Sequence, residues 1–331
     1  MFIYKMKRRL TLLLLPVISL ASCVSNNPIS KDYFYFDTVV EARLYQGDQT
    51  NLLELGSLFA KIDKLADNFE NRDLDNIYII NNTSENVVVE PELYEVLNLA
   101  FSNSLDSLNM FNPLCGSLSK AWKNSLANNV VLDEPTISSE LLKMQNTHLE
   151  FVNENIVKKV GDAEIDLGGV AKGYALDKAK AYLDSKEIKE YLIDAGSSSI
   201  LVGEKEGGKI FKIKISNLEN SYLEVKNCFI STSSNSRQKV VINNQTYSHI
   251  INPVTGSAIN VHDAIIVLSD SGYLGDILST DFVNESLDSI ATLEAQFNVK
   301  TIVIDAGQIS YKSAGIEVLN KWRKLSEMTS S

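Results

Sequence analysis

The sequence predicts a mixed α+β fold, with mainly antiparallel sheets packed against helices in a single large domain. Segments rich in β-branched and aromatic residues are interleaved with segments whose apolar residues recur at helical spacing. The two kinds of segment do not follow a regular β-α-β rhythm, which argues against a doubly wound parallel sheet. No long linker divides the chain, and its 44% hydrophobic and 22% charged residues are typical of a globular protein.

The individual elements are predicted from these periodicities and from turn signals. The predicted strands are 34–45, a pair within 147–159 that turns at 153–155, 190–202, several strands between 209 and 251, and a final hairpin of 300–305 and 309–312. The predicted helices are 51–65, 91–105, 170–184, 276–284 and 286–297. We also expect a strand to end at Asp166, directly before a Gly-Gly turn.

The first 22 residues have the pattern of an export signal. Four basic residues precede an apolar run, 10–21, that is too short to span a bilayer as a helix. The run ends in Leu-Ala-Ser before Cys23, which resembles the lipobox of bacterial lipoproteins, where the cysteine is acylated and becomes the mature N-terminus. An ordinary secretory signal with a chance cysteine is the alternative. We expect a signal peptide over 1–22, a lipid-anchored tether over 23–32 and a folded domain over 33–325, held at the extracytoplasmic face of the cell membrane.

The charge and the cysteine count exclude several classes of protein. The formal net charge is −11 and no basic patch is visible, so we expect no nucleic acid as a partner. A phosphate-rich ligand would need a metal or backbone amides to neutralise its charge. After lipidation only Cys115 and Cys228 remain, too few for a disulfide framework, and no Cys or His cluster suggests zinc.

The segment Asp-Leu-Gly-Gly-Val-Ala-Lys-Gly-Tyr-Ala, residues 166–175, is the strongest local signal. Two glycines allow a tight turn before a helix, whose first amides and positive dipole suit an anion such as phosphate. Lys172 lies in the first helical turn, where it opposes the dipole, so ligand binding explains it better than folding does. A glycine-rich turn with no ligand is the alternative, and the pattern alone does not decide between them.

Two further motifs carry polar groups. His249 stands at a strand end, before the turn Asn-Pro-Val-Thr-Gly of 252–256, and could move protons near neutral pH, although a lone histidine is more often structural. Asp276 and Thr280 are four residues apart, so on a helix they share one face. A carboxylate and a hydroxyl there suit Mg²⁺, whereas an Asp that caps the helix is the alternative.

Taken together, these motifs and their order resemble the ApbE family, the FAD:protein FMN transferases. The family pattern contains D-L-G-G-(I/V)-A-K-G-Y-A, then H-I-I-D-P-x-T-G, then D-A-x-x-T on a helix. This sequence matches the first completely, the second with Asn252 in place of Asp, and the third with Ile277 in place of Ala. Further similarities are Phe-Asp-Thr at 36–38, the segment 111–118 with Trp122, and Ile-Ser-Thr-Ser at 230–233. The resemblance implies an ApbE-like, T-fold-like domain.

The resemblance also implies an activity. Family members bind FAD and Mg²⁺, transfer the FMN half to a Thr or Ser hydroxyl of a target protein, and release AMP. The implied metal ligands are the Gly169 carbonyl, Asp276, Thr280 and Ser279, and the implied catalytic residues are His249 and Asp276. The positions that match flavin contacts are Phe36, Phe69, Met110, Phe111, Asn112, Asp166, Lys172 and Ile250. The implied acceptors are flavoproteins, membrane redox subunits among them, with an exposed Thr/Ser-Gly-Ala motif.

The sequence departs from the family at several of these positions. Phe36 and Asp37 replace Met and Gly, and an acid beside a phosphate-rich ligand is unfavourable unless it points away. The run Gly-Ser-Ser-Ser of 196–199 stands where the family has G-G-D or G-G-N. Asn112 and Asn252 replace acids, which keeps hydrogen bonding but removes charge.

Three other functions fit parts of the sequence. A related hydrolase would cleave FAD to FMN and AMP with water as the acceptor, and the same motifs would serve it. A lipoprotein that only binds and presents flavin would not need Asp276, Thr280 and His249. A purely structural surface lipoprotein would leave the segment 166–175 unexplained.

Overall fold

The structure is a computed structural model that describes residues 27–102, 108, 110–235 and 239–320. The predicted signal peptide, the lipidation site Cys23 and the start of the predicted tether lie outside the described residues. None of the helices in the described ranges is long and apolar enough to cross a membrane.

The described residues contain sixteen strands and eight α-helices. The strands are β1 Ile29–Tyr35, β2 Thr38–Leu44, β3 Val87–Val88, β4 His148–Asn153, β5 Ile156–Val160, β6 Tyr191–Ala195, β7 Ser199–Val202, β8 Phe211–Lys214, β9 Ser221–Val225, β10 Cys228–Ser234, β11 Lys239–Ile242, β12 Gln245–Ser248, β13 Ala264–Ser269, β14 Lys300–Asp305, β15 Gln308–Lys312 and β16 Val318–Asn320. The helices are α1 Gln49–Ala66, α2 Ile77–Asn81, α3 Pro91–Ala100, α4 Gly116–Ala127, α5 Glu134–Gln145, α6 Ala171–Ser185, α7 Gly272–Phe282 and α8 Leu287–Phe297.

One eight-stranded sheet organises the domain, in the order β1-β2-β6-β7-β10-β13-β14-β15. Every neighbouring pair in it is antiparallel. Three small antiparallel sheets accompany it, β11-β12, β16-β9-β8 and β3-β5-β4. The prediction of a mixed α+β fold with mainly antiparallel sheets is therefore confirmed.

The large sheet is covered differently on its two faces. Helices α1, α6 and α7 belong to the main core on one face, whereas β8 and β9 close a smaller apolar core on the other. Successive side chains of strand β10 point to opposite faces of the sheet, so Phe229 packs into the first core and Ile230 into the second. Ser231 and Ser233, which follow at the same two-residue spacing as Phe229, therefore face α7.

Helices α6 and α7 cross at two glycines that allow their backbones to touch. A Cβ atom on Gly173 would lie 2.1 Å from the carbonyl oxygen of Gly272. One turn further along α6, the Asp177 carboxylate accepts hydrogen bonds from the backbone amides of Gly272 and Tyr273, both at 2.8 Å. Asp177 thereby satisfies the first amides of α7, which its own N-cap residue does not do with its side chain.

Most of the predicted elements occur where the sequence placed them. Helices α1, α6 and α8, the β4–β5 hairpin and the final β14–β15 hairpin are confirmed, as is the start of α3 at Pro91. Helix α3 ends at Ala100, before the predicted end at 105. Helices α2, α4 and α5 were not predicted, because their apolar stripes are short or broken by polar residues.

Four local predictions are wrong. The single strand predicted over 34–45 is a hairpin, because Phe36 and Asp37 both take φ of 55° and reverse the chain between β1 and β2. The strand predicted over 190–202 is likewise the β6–β7 hairpin, which turns at 196–198. Asp166 lies in an extended loop instead of a strand. Helix α7 begins at Gly272, so Asp276 is in its interior and does not cap it.

Strand β1 also shortens the predicted tether. The strand begins at Ile29, which pairs with Leu44, and continues through residues that the sequence assigned to the tether at 23–32. Residues 29–32 are therefore part of the large sheet, because the hairpin turn brings them beside β2.

We expect the substitution Gly173→Ala to destabilise the protein by about 3 kcal/mol, because the new methyl group would overlap the backbone of α7. Denaturation with urea measures the loss. Gly307→Ala is the control, because a Cβ atom on Gly307 would enter open space. Only the φ of 72°, which is unfavourable for a residue with a side chain, should destabilise this variant, by about 1 kcal/mol. Equal losses in the two variants would contradict the close crossing of α6 and α7.

Candidate functional site

A cleft of about 750 Å³ opens beside the β6–β7 turn and the C-terminal end of β10. The start of α6 and the middle of α7 line it, and so do the segment that follows β12, the segment 110–112 and the β1–β2 turn. The three motifs singled out in the sequence, which are separated by up to a hundred residues, therefore meet at one cleft.

Asp276 lines this cleft and accepts three hydrogen bonds, and it is only 6% exposed. Its Oδ1 accepts hydrogen bonds from the hydroxyls of Ser199 on β7 and Ser231 on β10, both at 2.7 Å. Its Oδ2 accepts the backbone N–H of Gly173 in the first turn of α6, also at 2.7 Å. One carboxylate thus joins α7 to α6 and to two strands of the large sheet.

Hydrogen bonds within the protein engage several amides of the glycine turn. The sequence left open whether the first amides of α6 receive a phosphate; in the structure Gly173 donates to Asp276, and Gly168 donates to the Asp166 carboxylate at 2.7 Å. The amides of Val170 and Ala171 donate to the Leu167 carbonyl in the turn itself. The anion at this helix N-terminus is therefore a side chain of the protein.

Burial governs the charge of Asp276. Burial raises the pKa of its carboxyl group above the ordinary value, whereas the nearby Lys172 ammonium group and the three hydrogen bonds act in the opposite direction. Lys172 also lines the cleft. A cation in the cleft would favour the ionised carboxylate further, because an opposite charge at close range lowers the pKa of an acid.

Hydroxyl and carbonyl oxygens surround the next turn of α7. Ser279 and Thr280 donate to the Asp276 carbonyl at 3.1 and 3.0 Å, and the Ser233 hydroxyl lies 2.9 Å from that of Ser279. Gly169 lies beside them, since a Cβ atom there would be 3.5 Å from the Thr280 hydroxyl. The four residues proposed from the resemblance as metal ligands therefore occupy one region of the cleft.

The oxygen donors in this region fit a hard divalent cation. Mg²⁺ prefers oxygen ligands and is often held by one or two carboxylates together with water and the phosphates of a substrate. Asp276 is the single carboxylate of the set, and within the described residues no group of three or more acidic, His or Cys side chains could hold a metal alone. The donor set therefore suits a cation that arrives with a phosphate-bearing ligand.

All but one of the residues that match flavin contacts line the same cleft. Phe36, Met110, Phe111, Asn112, Asp166, Lys172 and Ile250 all line the cleft. The Phe111 ring touches Gly169, since a Cβ atom at that glycine would be 3.2 Å from it. Phe69 is not among the lining residues; it is 60% exposed and its ring lies beside the ammonium groups of Lys120 and Lys123.

His249 directly follows β12 and lies exposed on the cleft wall. The segment after it is fixed by its own turn, in which Asn252 accepts the backbone amides of Val254 and Thr255. Trp122 anchors the end of that turn by donating to the Gly256 carbonyl at 2.7 Å. His249 is thus an accessible side chain on a well-supported loop.

Two departures from the family pattern have a local explanation. Asn252 and Asn112 each accept backbone amides with the side-chain oxygen, Asn112 from Leu114 at 2.9 Å. An amide oxygen does this as well as a carboxylate oxygen, so the charge is dispensable for the turn. Asp37, in contrast, lines the cleft, so its charge stays close to the ligand space.

Cys115 lines the cleft but is not a candidate nucleophile. Burial raises the pKa of its thiol to about 12, and the nearby Asp166 carboxylate acts in the same direction. At neutral pH the thiol stays protonated, whereas the thiolate is the reactive form. The chemistry of the cleft therefore depends on its oxygen and nitrogen groups.

Several residues of this site could not be assigned from the sequence. Ser199 belongs to the serine run that replaces the Asp or Asn of the family pattern, and Ser231 belongs to the Ile-Ser-Thr-Ser segment of 230–233. Both side chains point at Asp276. Gly173 belongs to the motif of 166–175, and Asp177 follows it. The sequence does not reveal the contacts that they make with α7, because α7 is far away along the chain.

The fold and this cleft define an enzyme-like α+β domain with an oxygen-rich site for an anionic ligand. A family model described as the ApbE family matches residues 36–303. The match spans well over half of the sequence, and the chain belongs to the ApbE family. It is accordingly a transferase, the class to which its curated relatives belong.

Two of those relatives cover most of the chain. The FAD:protein FMN transferase of Chlamydia muridarum is 26% identical over 262 residues, which make up 76% of this chain and 77% of that protein. The FAD:protein FMN transferase of Treponema pallidum is 25% identical over 254 residues, which make up 70% of each chain.

Solved structures share the fold. The ApbE protein of Thermotoga maritima superimposes with a TM-score of 0.73 at 21% identity, covering 90% of this chain and 99% of that one. The flavin transferase ApbE of Vibrio cholerae gives a TM-score of 0.72 at 20% identity, with 87% and 97% covered. The ApbE-like fold expected from the sequence is therefore confirmed.

Proposed function

We propose that this chain is a FAD:protein FMN transferase, which moves the FMN half of FAD onto a Thr or Ser hydroxyl of a target protein and releases AMP. The observation that carries the proposal is the meeting of three motifs, represented by Lys172, His249 and Asp276, at one cleft. Membership of the ApbE family and the names of the curated relatives support the same activity.

The proposed reaction exchanges the phosphoanhydride bond of FAD for a phosphoester bond to the acceptor. The acceptor hydroxyl oxygen attacks the FMN phosphorus, the bond from that phosphorus to the bridging oxygen breaks, and AMP leaves with that oxygen. In this proposal His249 accepts the proton of the hydroxyl, and its exposure on the cleft wall, where a partner protein can reach it, supports that role. Lys172 would bind the pyrophosphate, whose charge increases in the transition state, and its position in the cleft lining supports that role.

The proposed metal is Mg²⁺, held by the Gly169 carbonyl, Asp276, Thr280 and Ser279 together with the pyrophosphate. Bound there, the ion would supply Lewis-acid stabilisation of the phosphate charge. Asp276 is held ready for it by Ser199 and Ser231. The flavin would lie along the wall formed by Phe36, Met110–Asn112, Asp166 and Ile250, and Phe69 would contribute only if the ligand extends beyond that wall.

The proposed address is the outer face of the cell membrane, through a lipid on Cys23. A short tether would raise the local concentration of enzyme around membrane redox subunits that expose their acceptor Thr or Ser. FAD would have to be available on the same side.

We expect Asp276→Ala to lower FMN transfer by on the order of 100-fold or more, because the cation and the pyrophosphate would lose several kcal/mol of stabilisation. The assay incubates the protein with FAD, Mg²⁺ and an acceptor with a Thr-Gly-Ala motif, and follows flavin fluorescence on the acceptor through a denaturing gel. Chelation of Mg²⁺ with EDTA should stop the wild type equally. Transfer that survives either treatment would refute the metal site.

The matched control for Asp276→Ala is Glu294→Gln. Glu294 is another buried carboxylate, and it accepts hydroxyl hydrogen bonds from Tyr311 and Ser313 away from the cleft. Glu294→Gln should lower the stability of the protein and leave its transfer activity unchanged. In the same assay, AMP release without labelled acceptor would identify an FAD hydrolase, and tight FAD binding without AMP release would identify a flavin-presenting lipoprotein.

We expect His249→Ala to lower the transfer rate at saturating FAD by about 100-fold, as is typical for loss of a general base, and to leave FAD binding nearly unchanged. His148→Ala is the control, because His148 is an exposed histidine on β4 whose carboxylate neighbour is Glu150. Full transfer by His249→Ala would remove the histidine from the mechanism.

We expect Cys23→Ser to abolish lipidation. Cells grown with an alkyne-tagged palmitate should label the wild type in the membrane fraction and leave the variant unlabelled, because a serine in place of the thiol does not meet the lipobox pattern. A labelled variant, or an unlabelled wild type, would contradict the proposed anchor.

A further inference from the structure

Asp281 is a buried carboxylate that the proposed chemistry does not use. It lies at the end of α7 and its side chain is 0% exposed. Its Oδ1 accepts the backbone N–H of Met110 at 2.7 Å, and its Oδ2 is buried with no hydrogen-bond partner. A buried carboxylate with so few partners is costly, so its presence calls for a reason.

The partner of Asp281 belongs to the cleft wall. Met110, Phe111 and Asn112 line the cleft, and Phe111 touches Gly169. Burial raises the pKa of the Asp281 carboxyl group to about 7, and the hydrogen bond from the Met110 amide acts in the opposite direction. A backbone amide of the proposed flavin wall is therefore held by this one side chain.

Helix α7 carries Asp281 and the proposed cation ligands together. Asp276 and Thr280 line the cleft, and Asp281, the residue after Thr280, accepts a hydrogen bond from the Met110 segment, which also lines it. The helix is itself fixed at its start by Asp177 and Gly173. One helix thus carries both the proposed cation ligands and the side chain that holds the Met110 amide.

We propose that Asp281 is a positioning residue that fixes the backbone of the Met110–Asn112 segment to α7, and so sets the flavin wall at a defined distance from the proposed cation ligands. The inference rests on the proposed function, since it takes the ligand to be FAD. It predicts that Asp281 affects binding of the flavin half selectively.

The test compares FAD, which spans both ends, with ADP, which lacks the flavin. In the presence of Mg²⁺, Asp281→Ala should weaken FAD binding by roughly 10-fold or more, because the Met110 amide would lose its buried acceptor, and should change ADP binding by less than about 2-fold. Asp281→Asn keeps an oxygen that can accept from Met110, so its FAD affinity should stay within about 3-fold of the wild type. Quenching of flavin fluorescence and titration calorimetry give the affinities.

Glu294→Gln is the matched control here too, because it changes a buried carboxylate that supports α8 instead of the cleft wall. It should lower the melting temperature and leave both affinities unchanged. Should Asp281→Ala not fold, Asp281→Ser makes the same comparison with a polar side chain too short to reach Met110.

Two results would overturn the inference: unchanged FAD affinity in Asp281→Ala, or equal losses of FAD and ADP affinity. Both are distinct from failure of the proposed function. A wild type that binds no FAD would refute the function itself. A wild type that binds FAD but transfers nothing would refute the transferase activity and leave the role of Asp281 in flavin binding intact.

Discussion

The site depends on one interaction, the contact of the buried Asp276 carboxylate with the N-terminus of helix α6. Asp276 on α7 accepts the Gly173 amide of α6 and the hydroxyls of Ser199 and Ser231, so it joins four elements of the fold. This arrangement is possible only because Gly173 and Gly272 let the two helices touch. The helix dipole and the three donors offset part of the cost of burying the charge.

The rest of the cleft follows from that junction. Once α7 is fixed against α6, its next turn presents Ser279 and Thr280 beside Gly169, and Lys172 lies near the carboxylate. A single carboxylate with neutral oxygens is a weak metal site by itself, and the phosphates of a ligand would complete it. Under the proposed function, cation and FAD would bind together, with the Met110–Asn112 segment held by Asp281 of α7.

The sequence predicts what is local and periodic. Helix α1, the β4–β5 hairpin and the motifs at 166–175 and 276–280 follow from apolar spacing, turn residues and their order. It does not predict the turn at Phe36–Asp37, because Phe is not a usual choice for positive φ and no glycine marks the turn. The partners of Asp276 were missed for a different reason: Ser199 and Ser231 come within reach of it only after the strands pair.

The cation site at Asp276 is the central claim, and it can be observed directly. Crystals grown with ADP and Mn²⁺, which is detectable by its anomalous scattering, would locate the ion. The account predicts an anomalous peak among the Gly169 carbonyl, the Asp276 carboxylate and the Thr280 hydroxyl, next to the pyrophosphate. ADP bound in the cleft with no peak there, or with the peak at other side chains, would contradict it.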